Sequence, residues 1–330
     1  MLYLLFGIFL LALVLLASLA IGARTIALTE VLQALSAPDM ANPAHIVVLE
    51  LRLVRTLTGL VVGSALAISG ALIQTVTQNG LADPGILGIN SGASFAAVIG
   101  IWAFGLGGST AIGWAALVGA GMATLAVLAI SNLGGARGNP THLILGGAAV
   151  VAILGALTSA ILLNAQEDLN TFRFWVVGSL SAGGSSQSTH ILALTPFFAA
   201  GIVCAVFAAR GLNGLILGET VAQSLGITPA RVRLVALIGV ASLAGAATAA
   251  AGPIGFLGLV APHLARAAVG VHVGWVMLMG AVIGPVVLLS ADILGRIALG
   301  QGEIQVGIMM AALGGFVFVA VIRRMRVLNT

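Results

Sequence analysis

A chain of 330 residues that is 60% hydrophobic and 7% charged has too little polar surface to enclose a water-soluble core, so a soluble globular domain is excluded. Lysine is absent, and the +4 net charge rests on arginine alone, which in a membrane protein reports topology rather than nucleic-acid binding. Without lysine the chain can build neither a P-loop nucleotide site nor a Schiff base.

The first apolar run lacks a basic flank and exceeds the roughly 7–15 residues of a signal-peptide core, so residues 1–21 read as a retained first helix. Residues 28–35, with apolar side chains at Leu28, Val31, Leu32 and Leu35, predict a short interfacial helix on the outer surface. Further spans are expected at 53–76, 91–107, 109–131, 140–163, 190–209, 232–251, 254–267, 273–295 and 304–322. The fold class is therefore all-α: a polytopic membrane protein with about ten transmembrane helices in a single transmembrane domain over residues 1–330.

The segment Gln78-Asn79-Gly80-Leu81-Ala82-Asp83-Pro84-Gly85-Ile86-Leu87-Gly88 joins two apolar runs. Pro84 and the glycines break the helix there, and such a break is tolerated in a membrane only at its surface or against a protein cavity. The stretch Ala251-Gly252-Pro253-Ile254-Gly255-Phe256-Leu257-Gly258-Leu259 echoes it after a second small-residue span, a weak sign of an inverted repeat. Glycine pairs at 59/63, 88/92 and 280/284 favour close helix approach, and the lone Cys204 sits in an apolar run where packing is its expected role.

With a cytoplasmic N-terminus and alternating spans, Arg137, Arg210, Arg231, Arg233, Arg266, Arg323, Arg324 and Arg326 fall inside, and Arg24, Arg52, Arg55, Arg173 and Arg296 outside. Seven of the nine acids lie outside, so the positive-inside rule supports this orientation, with both termini cytoplasmic. No acid lies mid-span, which disfavours an ion-coupled secondary transporter. The five histidines are scattered, so no metal site, cofactor site or catalytic constellation is expected, and the chain reads as a non-enzyme driven by another protein.

Residues 212–230 form the longest inside loop. Within it 217–225 predicts a short helix, with Glu219 in its first turn, Gly226 as terminator and Pro229 beyond. Read alone, this is a surface helix with a dipole-compensating glutamate. Arg52 and Arg55 share one helical face; with Arg296 they read alone as snorkelling side chains or as partners of Glu50 or Asp292. His263, after Pro262 at an inner helix end, reads as structural.

The motifs Arg52-Leu53-Val54-Arg55-Thr56, residues 78–88, Leu217-Gly218-Glu219 to Leu225-Gly226, residues 255–263 and Ala291-Asp292-Ile293-Leu294-Gly295-Arg296 occur in the order found in FecCD-type permeases, which the chain resembles over nearly its whole length. These are membrane subunits of ABC importers for ferric siderophores, haem and cobalamin. Residues 90–96 and 172–180 are most similar to the ferric-siderophore members. The resemblance implies a type II ABC importer fold in the cytoplasmic (inner) membrane and ATP-driven alternating access that carries a ferric siderophore inward. Cobalamin or haem is the alternative cargo. It also implies four kinds of partner: a second permease subunit, identical or not, two ABC ATPases, an extracytoplasmic substrate-binding protein and the membrane lipid. By the same resemblance Leu217, Gly218, Glu219, Ala222, Leu225 and Gly226 couple to an ATPase, and Arg52, Arg55 and Arg296 dock the binding protein. Asn79, Leu81, Thr141 and Leu145 match positions where the family narrows the path.

Overall fold

The computed structural model describes residues 2–22, 25–133, 140–164, 169–181, 186–298 and 302–327; Arg24 and Arg137 lie outside them. Helix α1 (Leu2–Ala20) leads to the short amphipathic α2 (Leu28–Ser36). Leu28, Leu32 and Leu35 of α2 are exposed while Val31 and Ala34 are buried, the division expected of a helix lying on a membrane surface. Pro43 then starts α3 (Pro43–Ile46), where Asn42 accepts a hydrogen bond from the Ala44 amide at 2.9 Å. This turn runs through a π-helical segment (Val47–Arg52) into α4 (Leu53–Val76).

After α4 the chain makes a 3₁₀ turn (Pro84–Leu87) before α5 (Ile89–Phe104), α6 (Ser109–Leu133) and α7 (Pro140–Asn164). The second half comprises α8 (Leu169–Val176), α9 (Gln187–Ile216), α10 (Glu219–Ser224), α11 (Pro229–Ala251), α12 (Leu257–Val269), α13 (Val273–Ile297) and α14 (Val306–Val327). Every expected span has a helix. Seven helical segments are long and apolar enough to cross a membrane, and α5, α12 and part of α14 are shorter apolar helices.

Two helices form the centre. The most apolar windows of α4 and α11 are each 72% buried within the subunit, against 17% for α1 and 22% for α7, so the latter two turn most of their surface outward. Small residues allow the central helices to approach closely. A Cβ on Gly63 of α4 would lie 2.7 Å from the Pro285 nitrogen of α13, and one on Gly284 would lie 2.2 Å from the Gly63 carbonyl oxygen. Gly92 of α5 and Gly119 of α6 pack in the same reciprocal way. Gly88 packs closely as well, since a Cβ there would lie 3.2 Å from Val150 Cγ1, and its φ of 71° also lets α5 start. Cys204 packs beside Gly239.

The two echoing breaks meet. A Cβ on Gly258 would lie 2.5 Å from Pro84 Cδ, and the Gln74 side-chain amide donates to the carbonyls of both Ala82 (3.0 Å) and Gly258 (3.1 Å). Gln74 also accepts from Arg266, so one buried amide ties the end of α4 to both breaks and to α12.

Candidate functional sites at the two ends of the bundle

The first residue group sits at the start of α4. Arg52, on the last position of the π-helical turn, donates from Nη1 to the carbonyls of Leu19 (2.8 Å) and Ala20 (2.7 Å), the final carbonyls of α1. Arg296 on α13 reaches the same helix end, donating to the Ser18 carbonyl (2.8 Å) and the Ser18 hydroxyl (3.1 Å). Both guanidinium groups thus satisfy acceptors that a helix C-terminus leaves open. Asp292, fully buried, lies between Arg55 and Arg296. It accepts from Arg55 Nη2 at 2.8 Å and from Arg296 Nε at 2.9 Å, and also pairs with Arg296 Nη2.

Arg55 extends the cluster by donating to Glu303 at 2.6 Å. Asp292 is thus the partner that two of the arginines find. Glu50 makes no ion pair among the described residues and faces the mouth of a cavity of about 390 Å³, lined also by Arg52, Arg55, Arg296 and Glu303. The arginines are 7, 9 and 3% exposed, whereas the Glu303 side chain is 41% exposed. Glu303 is therefore the most accessible charge-paired member of the cluster.

The second group lies at the other end of the bundle. α9 continues five residues into the expected loop, to Ile216, because Leu212 and Leu215 are buried and Gly214 admits the Ile227 side chain. The connecting segment is thereby shortened to 217–228. Gly218, at φ 105° and ψ 151°, occupies backbone open to glycine and precedes α10, which starts two residues later than the 217–225 expectation would have it. α10 ends in a Schellman motif: Gly226 N–H donates to Gln223 O (2.9 Å), Ile227 N–H to Ala222 O (3.0 Å), and Gly226 has φ 78°.

Glu219 pairs with Arg233 of α11. Ala222 is fully buried and faces the bundle, so it anchors α10. Val221 on α10 and Leu225 at its C-cap, four residues apart, are 44 and 64% exposed and form an apolar ridge on the outside, and Leu217, 66% exposed, precedes the Gly218 turn. Val221 was not among the expected coupling residues. Its place midway between Leu217 and Leu225 was the available signal. Arg233 and Gln74 were missed as well, and for them only the tertiary fold carries the information.

The residues expected to narrow the path lie on adjacent elements. Asn79 Oδ1 accepts from the Leu81 amide (2.9 Å) and its carbonyl from the Ala82 amide (3.1 Å), which makes the turn after α4 self-bonded. Asn79 is exposed and Leu81 half-buried. Thr141 and Leu145, one turn apart on α7, are both exposed. α7 rests on the 3₁₀ turn at Gly147, where a Cβ would lie 1.8 Å from Ile86 O. Asp83 caps that turn, accepting from the Gly85 amide at 2.9 Å. Burial pushes its carboxyl up to about 6, against the opposing pull of the Gly85 N–H.

A helical bundle apolar enough to span a membrane, with a buried charge cluster at one end and exposed apolar side chains at the other, is that of a polytopic transmembrane protein. The chain belongs to the FecCD transport family, whose model matches residues 10–324. It is 41% identical to the ferric enterobactin transport system permease protein FepD of Escherichia coli strain K12, over 93% of this chain and 90% of FepD. It is 37% identical to the hemin transport system permease protein HmuU of Yersinia pestis, over 84% of this chain and 83% of HmuU. Among solved structures it is similar, with a TM-score of 0.79 and 26% identity over 98% of this chain and 99% of the other, to an inward-facing ABC transporter assigned to the metal-chelate type.

Proposed function

We propose that the chain is the permease subunit of an ATP-binding-cassette importer that moves a ferric siderophore into the cytoplasm. The observation that carries this reading is the apolar ridge of Val221 and Leu225 on a helix fixed at both ends, with the exposed Leu217 just before it. An exposed apolar ridge outside the bilayer needs a partner groove. The Glu219–Arg233 pair and the Ile227–Gly214 contact link any displacement of that ridge to α11 and α9, and α11 lies at the centre of the bundle.

In this reading the whole chain is one transmembrane domain in the inner membrane. Both termini and the coupling segment, within residues 212–230, are cytoplasmic. Two ATPases seat on the ridges of this subunit and of a second permease, identical or not. Gly218 and Gly226 set the pose of the ridge, and Glu219, Ala222, Leu217 and Leu225 hold or present it. The path between the two permeases passes Asn79 and Leu81 and the exposed Thr141 and Leu145, aliphatic and neutral polar groups that hold no metal chelate tightly.

The extracytoplasmic binding protein docks over the cavity of Arg52, Arg55 and Arg296. Asp292 already holds two of these guanidinium groups, so an incoming carboxylate competes with the accessible Glu303 for Arg55. The identity to FepD favours a ferric siderophore as cargo; the identity to HmuU supports haem as the second reading. Reconstitution with the second permease, ATPase and binding protein tests both. Import of ferric siderophore with internal ATP and no ion gradient is expected. Uptake driven by a proton or sodium gradient without ATP would reject the importer class, and ATP-driven uptake of haem or cobalamin alone would reject the cargo.

A further inference from the structure

A further cavity opens on the flank of the bundle, with its polar end next to the coupling segment. It holds about 540 Å³ between α9 and α13, with Ile202 and Val206 on one wall and Leu278 on the other, and it ends at Arg210, Asn213 and His272. Ile202, Val206 and Leu278 are 47, 62 and 47% exposed, so the groove opens sideways from the bundle. From Ile202 to Arg210 it runs about 12 Å along α9, most of the roughly 15 Å hydrocarbon depth of one leaflet.

The polar end is organised. Asn213 accepts from the Val273 amide at 2.9 Å and its amide nitrogen meets His272 Nε2 at 3.3 Å, which fastens α9 to the start of α13. Arg210 is exposed at this end and, among the described residues, pairs with no carboxylate. An arginine with open donors above an apolar groove of leaflet depth is complementary to one ligand chemistry: a phosphate-bearing anionic headgroup with an acyl chain below it.

We propose that the groove between α9 and α13 is a binding site for an anionic phospholipid, with Arg210 on the headgroup phosphate and Ile202, Val206 and Leu278 against the acyl chain. The site needs neither the cargo nor the ATPase. A second protein helix is the competing occupant, but it would bring no charge for Arg210 unless it carried an acid at one register.

The test uses the assembled importer, purified in detergent with equal amounts of phosphatidylglycerol and phosphatidylcholine of matched chains, and counts retained lipid by native mass spectrometry. Wild type should retain phosphatidylglycerol in preference. Arg210→Gln should cut that preference about fivefold, the worth of one basic residue at a headgroup. Arg231→Gln, which removes another exposed arginine outside the groove, should leave it intact, and Val206→Trp should reduce retention of both lipids by filling the groove. Equal retention by wild type, an unchanged preference in Arg210→Gln, an equal loss in Arg231→Gln, or no loss in Val206→Trp would each overturn the proposal.

Discussion

Glu219, the first residue of α10, pairs with Arg233 on the first turns of α11, so the short helix outside the bundle is tied by charge to one of its two most buried helices. The Glu219 side chain is 49% exposed, which limits the contribution of the pair to stability to about 0.2–1 kcal/mol. Its importance is mechanical. Glu219→Arg should insert and fold but uncouple ATP hydrolysis from uptake, and the swap Glu219→Arg with Arg233→Glu should recover part of the uptake. A swap no better than the single variant, measured in proteoliposomes, would assign the pair a purely local role.

Gly226 closes α10 at φ 78° with open space where a Cβ would stand, so a substitution there is penalised by backbone conformation and not by collision. Left-handed backbone costs a non-glycine residue roughly 1–2 kcal/mol, least for asparagine and most for a β-branched side chain. Uptake should therefore fall in the order Gly226, Gly226→Asn, Gly226→Val, while the membrane level of the subunit stays constant. ATPase co-purification and uptake that are both unchanged in Gly226→Val would remove α10 from the coupling path.

Asp292 faces two guanidinium groups with no exposure to solvent. Removing its charge strands buried arginine, so Asp292→Asn should destabilise the subunit by about 3–5 kcal/mol and lower its yield in the membrane. Glu303→Gln should behave differently: the fold persists, Arg55 loses a competitor, and the binding protein docks faster at low salt, with the gain disappearing as salt is raised. Association rates by surface-attached binding assay separate the cases. An unchanged rate in Glu303→Gln would mean that Arg55 receives no carboxylate from outside.

The helices at the expected spans were legible because uncharged runs bounded by arginines and glycines leave little freedom in where a membrane helix can stand. Helix ends were less legible. α9 runs on to Ile216 since Leu212 and Leu215 find buried places, a tertiary fact with no local sign. Gly226 did announce the end of α10, because its backbone requirement is local, whereas Gly218 was placed inside the expected helix and instead precedes it. The arginine cluster was readable as residue types in a pattern, and Asp292 as one possible partner. That Arg52 and Arg296 both grip the end of α1 depends on three helices meeting, which spacing along one chain cannot express.

The last prediction concerns Asp83, whose carboxyl is raised by burial to about 6 from an ordinary value near 3.8. Between those two values the folded chain keeps a proton that the unfolded chain has lost, so folding stability falls as pH rises through this window and levels off above about 6. The linkage ceiling is about 3 kcal/mol. Asp83→Asn keeps the side-chain oxygen that accepts from the Gly85 amide and removes the buried charge. In detergent, the difference in Tm between Asp83→Asn and wild type should be small at pH 4.5 and should grow in favour of the variant up to about pH 6.5, then stay constant. Taking the difference cancels every contribution common to both proteins. A difference that is flat across this range, or that favours wild type at pH 7.5, would show that Asp83 is already ionised at little cost and that the break after α4 is held by backbone geometry alone.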